Sequence, residues 1–258
     1  MYKLLFKRPI DIICALVLLL FLAPLLFVVA ILVAIKHGRP IIFKQKRVGR
    51  NQKIFWFYKF RSMTNARDEN GELLPDSMRV TKFGRFLRKT SIDELPQLWN
   101  ILKGDMSFIG PRPRDVKECI FLNETQCGRF RVRPGLSGLA QINGRNAITF
   151  DKVAEYDNKY ADRVTLWGDI KIAFKTLLVV FKKESIDSNI QSTVHLSYYY
   201  NDVLLQRGEI TQDEYNQRVA LSKTLEVGNI MPSVATLLQE GIDKIKNDQD
   251  LYKTDQTV

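Results

Sequence analysis

The residues best suited to chemistry are two adjacent carboxylates, Asp93 and Glu94, with cations on both sides: Arg85, Arg88 and Lys89 before them, Arg112 and Arg114 after. A carboxylate pair in a cationic setting suits nucleophilic phosphoryl transfer. The cations neutralise a pyrophosphate, a divalent metal bridges it to one carboxylate, and the second carboxylate tunes the first. Mg²⁺ prefers oxygen ligands and keeps its waters, so a single protein carboxylate together with substrate phosphates can hold it. The same residues also read as a plain helix start. Ser91 and Glu94 have capping-box spacing, and acids in a first turn complement the helix dipole. Pro96 strains that second reading, because two residues past a capping Glu it removes an intrahelical donor. Spacing alone leaves both readings open.

The elements around the pair follow from pattern. Leu95, Leu98, Trp99 and Leu102 fall at helical spacing, with Lys103 in the last turn and Gly104 as C-cap. Ile41–Phe43 and Lys53–Phe60 read as strands around a Gly49-Arg50-Asn51 turn, and Lys59 and Arg61 end the second strand, a position that suits either ligand contacts or a solvated strand end. Residues 65–79 read as a loop with an Asn70-Gly71 turn. Thr81–Lys89 reads as a small basic amphipathic helix. Helices are expected over Val116–Gly128 and Asp151–Tyr160. Leu166–Phe181 carries an apolar stripe (Leu166, Trp167, Ile170, Phe174, Leu177, Leu178, Phe181) opposite Lys171, Lys175 and Lys182, which suits an interfacial helix.

Composition restricts the functional classes. Only two His and three scattered Cys are present, which argues against a His-based triad, a zinc site or a disulfide framework. The net charge of +11 is uneven: residues 191–258 hold six Lys/Arg against ten Asp/Glu, leaving +15 on residues 1–190. A basic body seeks anions, whether nucleic acid, anionic lipid or phosphorylated small molecules. Ile10–Ile35, 26 residues with Asp11 as the single charge, favours lipid and phosphate. That segment is long enough to span a bilayer. Pro24 interrupts it near the middle, however, and cations flank both ends, Lys3, Lys7 and Arg8 before and Lys36, Arg39, Lys44, Lys46 and Arg47 after. A bent, re-entrant hairpin satisfies both features; an ordinary single-pass anchor is the alternative.

Six blocks in order resemble the bacterial sugar transferase family, the small monotopic phosphoglycosyl transferases: Lys7-Arg8-Pro9-Ile10-Asp11, Tyr58–Met63, Ser91–Gln97, Lys103–Ser107, Gly110–Pro113, and Arg133–Gly138 leading to Gln141–Arg145. They cover roughly residues 3–185. The resemblance implies that Asp93 is the nucleophile and a ligand of Mg²⁺, with Glu94 as its partner. It associates Pro111-Arg112-Pro113 with the uridine nucleotide, and Lys59, Arg61, Arg88 and Arg145 are candidates for phosphate contacts. It also implies the re-entrant helix, with Ala23-Pro24 where the family's kink is typically Ser-Pro.

The expected fold is α+β and mostly helical: a re-entrant membrane helix hairpin (1–36), a cytosolic catalytic domain (37–190) with a small β-hairpin and surrounding amphipathic interfacial helices, and a helical C-terminal extension with a disordered end (191–258). The capping-box pattern at Thr211–Glu214 opens a helix in that extension. The expected activity is transfer of a sugar 1-phosphate from a UDP-sugar to polyprenol (undecaprenyl) phosphate with release of UMP, the first membrane step of glycoconjugate assembly. Its location would be the cytoplasmic face of the bacterial inner membrane. Membrane lipid and downstream glycosyltransferases are the expected partners, and nucleic acid is not. The sequence names neither the sugar nor the oligomeric state. A non-catalytic basic membrane-surface scaffold is the alternative.

Overall fold

The computed structural model describes residues 1–119, 122, 124–144 and 148–181, together with 205, 208, 210–217 and 220. Arg145 and most of the expected C-terminal extension lie outside the described residues. The described portion is mostly helical with little sheet, as expected.

A π-helical turn, Tyr2–Phe6, leads into α1, Lys7–His37. The expected hairpin takes the form of one continuous helix through Pro24, which is exposed. Asp11, Ala15, Val29, Val33 and His37 are buried, and Leu19, Leu22 and Leu26 are partly so. This stripe recurs every three to four residues and turns one face of α1 to the body over its full length. The other face leaves large apolar side chains uncovered, including Leu20 (70% exposed) and Phe21 (79%). Both ends are fastened. Arg8 donates to the carbonyls of Ile101 and Leu102, Asp11 accepts from the Phe108 N–H, and His37 bonds the Thr81 hydroxyl at 2.7 Å.

The strands β1 (Ile42–Val48) and β2 (Ile54–Phe60) form an antiparallel hairpin with Ile42 opposite Phe60 and Val48 opposite Ile54. β1 is longer than the expected Ile41–Phe43, because the basic run Lys44-Gln45-Lys46-Arg47 that breaks its apolar pattern is itself extended. Lys44 and Lys46 lie over the rings of Tyr58 and Trp56, so the cross-strand partners hold the cations in place. Phe55 and Phe57 pack with Ala15 of α1 and with Leu98, Ile101 and Met106; Phe60 packs with Val29, Val33 and Leu87. β4 (Arg114–Asp115) extends the hairpin to three strands in the order β2-β1-β4, and β3 (Ser107–Ile109) pairs in parallel with β5 (Gly135–Ser137).

The helices are α2 (Asp76–Arg79), α3 (Lys82–Lys89), α4 (Gln97–Lys103), α5 (Val116–Cys119), α6 (Glu124–Cys127), α7 (Leu139–Ile142), α8 (Phe150–Asp162) and α9 (Leu166–Phe181). The single helix expected over Val116–Gly128 is instead α5, α6 and a 3₁₀ turn, Gly128–Arg131. α9 has the predicted bounds, and its apolar stripe faces outward: Trp167 is 79% and Phe174 61% exposed, while Asp169 and Ile172 face the body. In the short described piece of the tail, the Thr211 hydroxyl accepts from the Glu214 N–H and Glu214 accepts from the Thr211 N–H, the reciprocal capping pair expected there.

Candidate active site

Asp93 and Glu94 lie on a 3₁₀ turn, Ile92–Glu94, between α3 and α4. Ser91 enters that turn in the left-handed region (φ 56°) and makes no side-chain cap, so the capping box suggested by its spacing does not form. Glu94 instead accepts from Arg112 at 2.6 Å, with the second guanidinium nitrogen at 3.5 Å. Pro96 sits at the N-cap of α4, where a missing N–H is harmless. The dyad therefore precedes α4 and does not cap it. Gly104 closes the far end of α4 in the left-handed conformation, as the pattern predicts.

The parts that hold this turn come from distant stretches. Asn100 of α4 is fully buried; it donates to the Trp56 carbonyl at 2.6 Å and accepts from the Tyr58 N–H at 3.2 Å. It thereby satisfies the free edge of β2 and sets the strand beside the dyad. α3 approaches the chain after β2 at Gly84, where an added Cβ would meet the Ser62 carbonyl oxygen at 1.9 Å. This approach lets Arg88 donate to the Ser62 hydroxyl at 2.9 Å. On the other side, Gly110 and Gly135 lie in such close contact that a Cβ on Gly135 would come within 2.1 Å of the Gly110 nitrogen. That approach fixes where the chain enters Pro111-Arg112-Pro113.

Asp93 is 6% exposed. Burial, then the neighbouring Glu94 charge, pushes its carboxyl up to about 6, against the opposing pull of Lys59, Arg88 and Arg112. Lys59, on β2, is held below the usual lysine range by burial and by Arg88 and Arg47, while Asp93 and Glu94 oppose that shift. Its ammonium lies 5.0 Å from the Phe43 ring centroid. The structure thus gathers Asp93, Glu94, Lys59, Arg88 and Arg112 around the wall of one cleft of about 1520 Å³. Arg61 also borders the cleft but is buried, donating to the carbonyls of Met63 and Arg39, so it ties the end of β2 to the segment leaving α1. Pro111 and Pro113 shape the loop that carries Arg112. Ala23 and Pro24 are exposed midway along α1, and Arg145 lies outside the described residues.

The cleft reaches beyond the charged wall. Its far side is lined by Ile10, Cys14 and Leu18 of α1 and by Ile170, Ala173 and Leu177 of α9. The two helices are joined at Asp169, which accepts from the Tyr2 hydroxyl (2.8 Å), the Lys7 ammonium (2.6 Å) and the Tyr160 hydroxyl (2.8 Å). Asn100, Ser62, Asp169, Arg129 and Asp157 are given no role in the sequence expectations, Ser62 appearing there only inside a matched block. Each meets its partner through a contact 9 to 167 residues apart in the chain, and local periodicity carries no signal of that.

Among the described residues no group of three or more His, Cys, Asp or Glu could hold a metal by itself. The oxygen donors present suit a hard divalent ion shared with a substrate phosphate, with Asp93 the more deeply buried carboxylate of the pair. A buried carboxylate ringed by cations can attack, or position a group against, a phosphorylated ligand.

Comparison with known sequences agrees with this chemistry. Residues 2–183 match the family described as bacterial sugar transferase. An uncharacterized sugar transferase of Bacillus subtilis, EpsL, is 44% identical over 191 residues, covering 74% of this chain and 93% of the relative. The undecaprenyl-phosphate galactose phosphotransferase of Salmonella typhimurium is 40% identical over 195 residues, 69% of this chain and 41% of the relative. The UDP-glucose:undecaprenyl-phosphate glucose-1-phosphate transferase of Escherichia coli is 40% identical over 188 residues, 69% and 40%. The chain thus spans most of the Bacillus relative and about two fifths of the other two.

Proposed function

The chain belongs to the bacterial sugar transferase family, and from that premise we propose that it transfers a sugar 1-phosphate from a UDP-sugar to polyprenol phosphate and releases UMP. One observation carries this reading: a single cleft joins a buried, cation-ringed carboxylate to an apolar wall made by two helices with outward-facing apolar surfaces. One substrate is soluble and the other lies in lipid, so the reaction needs a site with both characters.

In the first step an Asp93 carboxylate oxygen attacks the β-phosphorus. A new Oδ–P bond forms, the bond from that phosphorus to the bridging oxygen breaks, and UMP leaves with the electron pair. In the second step a phosphate oxygen of polyprenol phosphate attacks the same phosphorus and Asp93 departs, giving a polyprenyl diphospho-sugar. Lys59, Arg88 and Arg112 offset the negative charge on the pyrophosphate, and burial makes Asp93 a stronger nucleophile once ionised. Glu94, held by Arg112, keeps a second negative charge beside Asp93 and orients the loop that would meet the uridine. A bound Mg²⁺, held by Asp93 with substrate oxygens and water, would supply further charge neutralisation.

The outward faces of α1 and α9 support a seat in the membrane interface, and the fastening of both ends of α1 to one body supports entry and exit through the same leaflet, the cytoplasmic one of the bacterial inner membrane. Residues 1–36, 37–190 and 191–258 form the membrane, catalytic and accessory parts in this reading. The relatives name galactose in one case and glucose in another at 40% identity, so similarity does not select the sugar. The test is incubation with a panel of UDP-sugars in the absence of acceptor. Intact-protein mass should rise by one phosphosugar with stoichiometric UMP, and polyprenol phosphate should discharge it. UMP release that strictly requires acceptor, with no mass increase, would overturn the covalent route.

A further inference from the structure

The loop carrying Arg112 is held at three successive carbonyls by three different elements. Pro111 accepts from the Gly135 N–H at 2.9 Å, Arg112 from the Arg129 guanidinium at 2.5 Å, and Pro113 from the Arg47 guanidinium at 3.4 Å. The middle anchor has its own support. Arg129 lies 3.1 Å from the Asp157 carboxylate of α8, and the two side chains are only 3% and 1% exposed. Burying two charges is costly, and an apolar pair of similar size would join the same segments as well or better. A second ion pair, Arg131–Asp162 at 2.7 Å, already links the same two segments at the surface. The buried pair therefore does something the exposed one does not: it aims a guanidinium at the backbone of Arg112.

We propose that Arg129 and Asp157 are positioning residues that set Arg112, and through it Glu94, for the reaction. Arg129 reaches the Arg112 carbonyl, the Arg112 side chain reaches Glu94, and Glu94 adjoins Asp93. Asp157 holds the guanidinium that starts this chain by charge at 3.1 Å, with no hydrogen bond to either carboxylate oxygen, and Arg114 adds a second favourable charge beside it. Because the claim rests on the transferase reading, its test needs a readout that does not depend on turnover.

The experiment uses the full chain in detergent with Asp157→Asn, Arg129→Lys and Arg131→Ala, each alone and with Arg112→Ala. The measurements are initial UMP release and hydrogen exchange of peptides covering residues 109–115. Asp157→Asn and Arg129→Lys should each lower kcat at least tenfold while changing KM for the UDP-sugar less than threefold, and should speed exchange at Arg112 and Arg114. In the Arg112→Ala background each should change kcat less than twofold, since the chain they serve is already cut. Arg131→Ala should leave both readouts at wild-type values. Multiplicative losses in the Arg112→Ala background, or equal losses from Arg131→Ala, would make the pair a mere brace and overturn the proposal. Unchanged exchange at 109–115 in Asp157→Asn and Arg129→Lys would overturn it as well. If Asp157→Asn fails to fold, Arg129→Lys, which keeps the charge but loses the fork, carries the test. A wild-type chain that releases no UMP would remove the transferase reading, and exchange alone would then decide the positioning claim.

Discussion

The dyad turn and the helix pair α1/α9 are built on opposite plans. At the dyad, charged side chains are drawn inward: Asp93 is buried in the field of Lys59, Arg88 and Arg112, and Arg129 and Asp157 are buried 3.1 Å apart against the Arg112 backbone. Along α1 and α9 many large apolar side chains are left uncovered while the acids are drawn in; Asp11 and Asp169 face the body while Leu20, Trp167 and Phe174 do not. A protein surrounded only by water would be destabilised by both choices. Together they are what a site needs when one reactant is an anion and the medium on one side is hydrocarbon.

Breaking the charged half should have the largest effect. Asp93→Asn should lower UMP release by at least a thousandfold, roughly 4 kcal/mol in the barrier, because an amide is a very poor nucleophile. Radiolabelled UDP-sugar turnover reads this directly, and activity within tenfold of wild type would remove Asp93 from the nucleophile's role. On the apolar half, Trp167→Glu combined with Phe174→Glu should cut activity about tenfold with acceptor embedded in vesicles and hardly at all in detergent, since both side chains face away from the core. Equal losses in the two media would mean that α9 serves the fold and not the interface.

The same dyad should also show its cost to stability. The Asp93 carboxyl holds its proton to about pH 6 when folded, against 3.8 for the ordinary group. The folded state therefore binds more protons in that window and loses stability as pH rises through it. Above pH 6 the ionised group destabilises by on the order of 2–3 kcal/mol. With chelator present, Asp93→Asn should melt roughly 5 °C above wild type at pH 7.5, and the difference should fade near pH 4. An Asn variant less stable than wild type at pH 7.5 would contradict the burial argument. The smallest effect should come from outside both halves: ending the chain after Asn189 should keep UMP release within twofold, because the family match stops at residue 183.

What the sequence made legible was local or shared with a family. The bounds of α9, the Gly104 cap, the hairpin and the Thr211–Glu214 capping pair each depend on neighbours within a few residues, where period and turn chemistry speak directly. The carboxylate pair with its flanking cations brought Asp93, Glu94, Arg88 and Arg112 to notice, and the ordered blocks added weight to Lys59, before any geometry did. The spacing that failed did so for a physical reason: Ser91 and Glu94 fit a capping box, but a guanidinium 18 residues later competes for the Glu94 carboxylate more strongly than a backbone N–H does. Asn100, which seals the β2 edge, and the Arg129–Asp157 pair were hidden because a buried polar residue is identified by its partner, and a partner 28 or 44 residues away leaves no periodic trace. The break between α5 and α6 was likewise invisible in a stretch without Pro.

The knot at Asp169 has a consequence for how the molecule sits in a bilayer. One carboxylate gathers the start of α1, the end of α8 and the first turn of α9, so the two helices with exposed apolar faces cannot ride up or down independently. In the interfacial seat proposed above, the protein would float as a raft with a fixed waterline, and the dyad would keep a constant height above it. A lipid carrier is then gauged by where its phosphate lies and not by how far its tail extends, so lengthening or shortening the polyprenol by several isoprene units should leave the rate of the second step nearly unchanged.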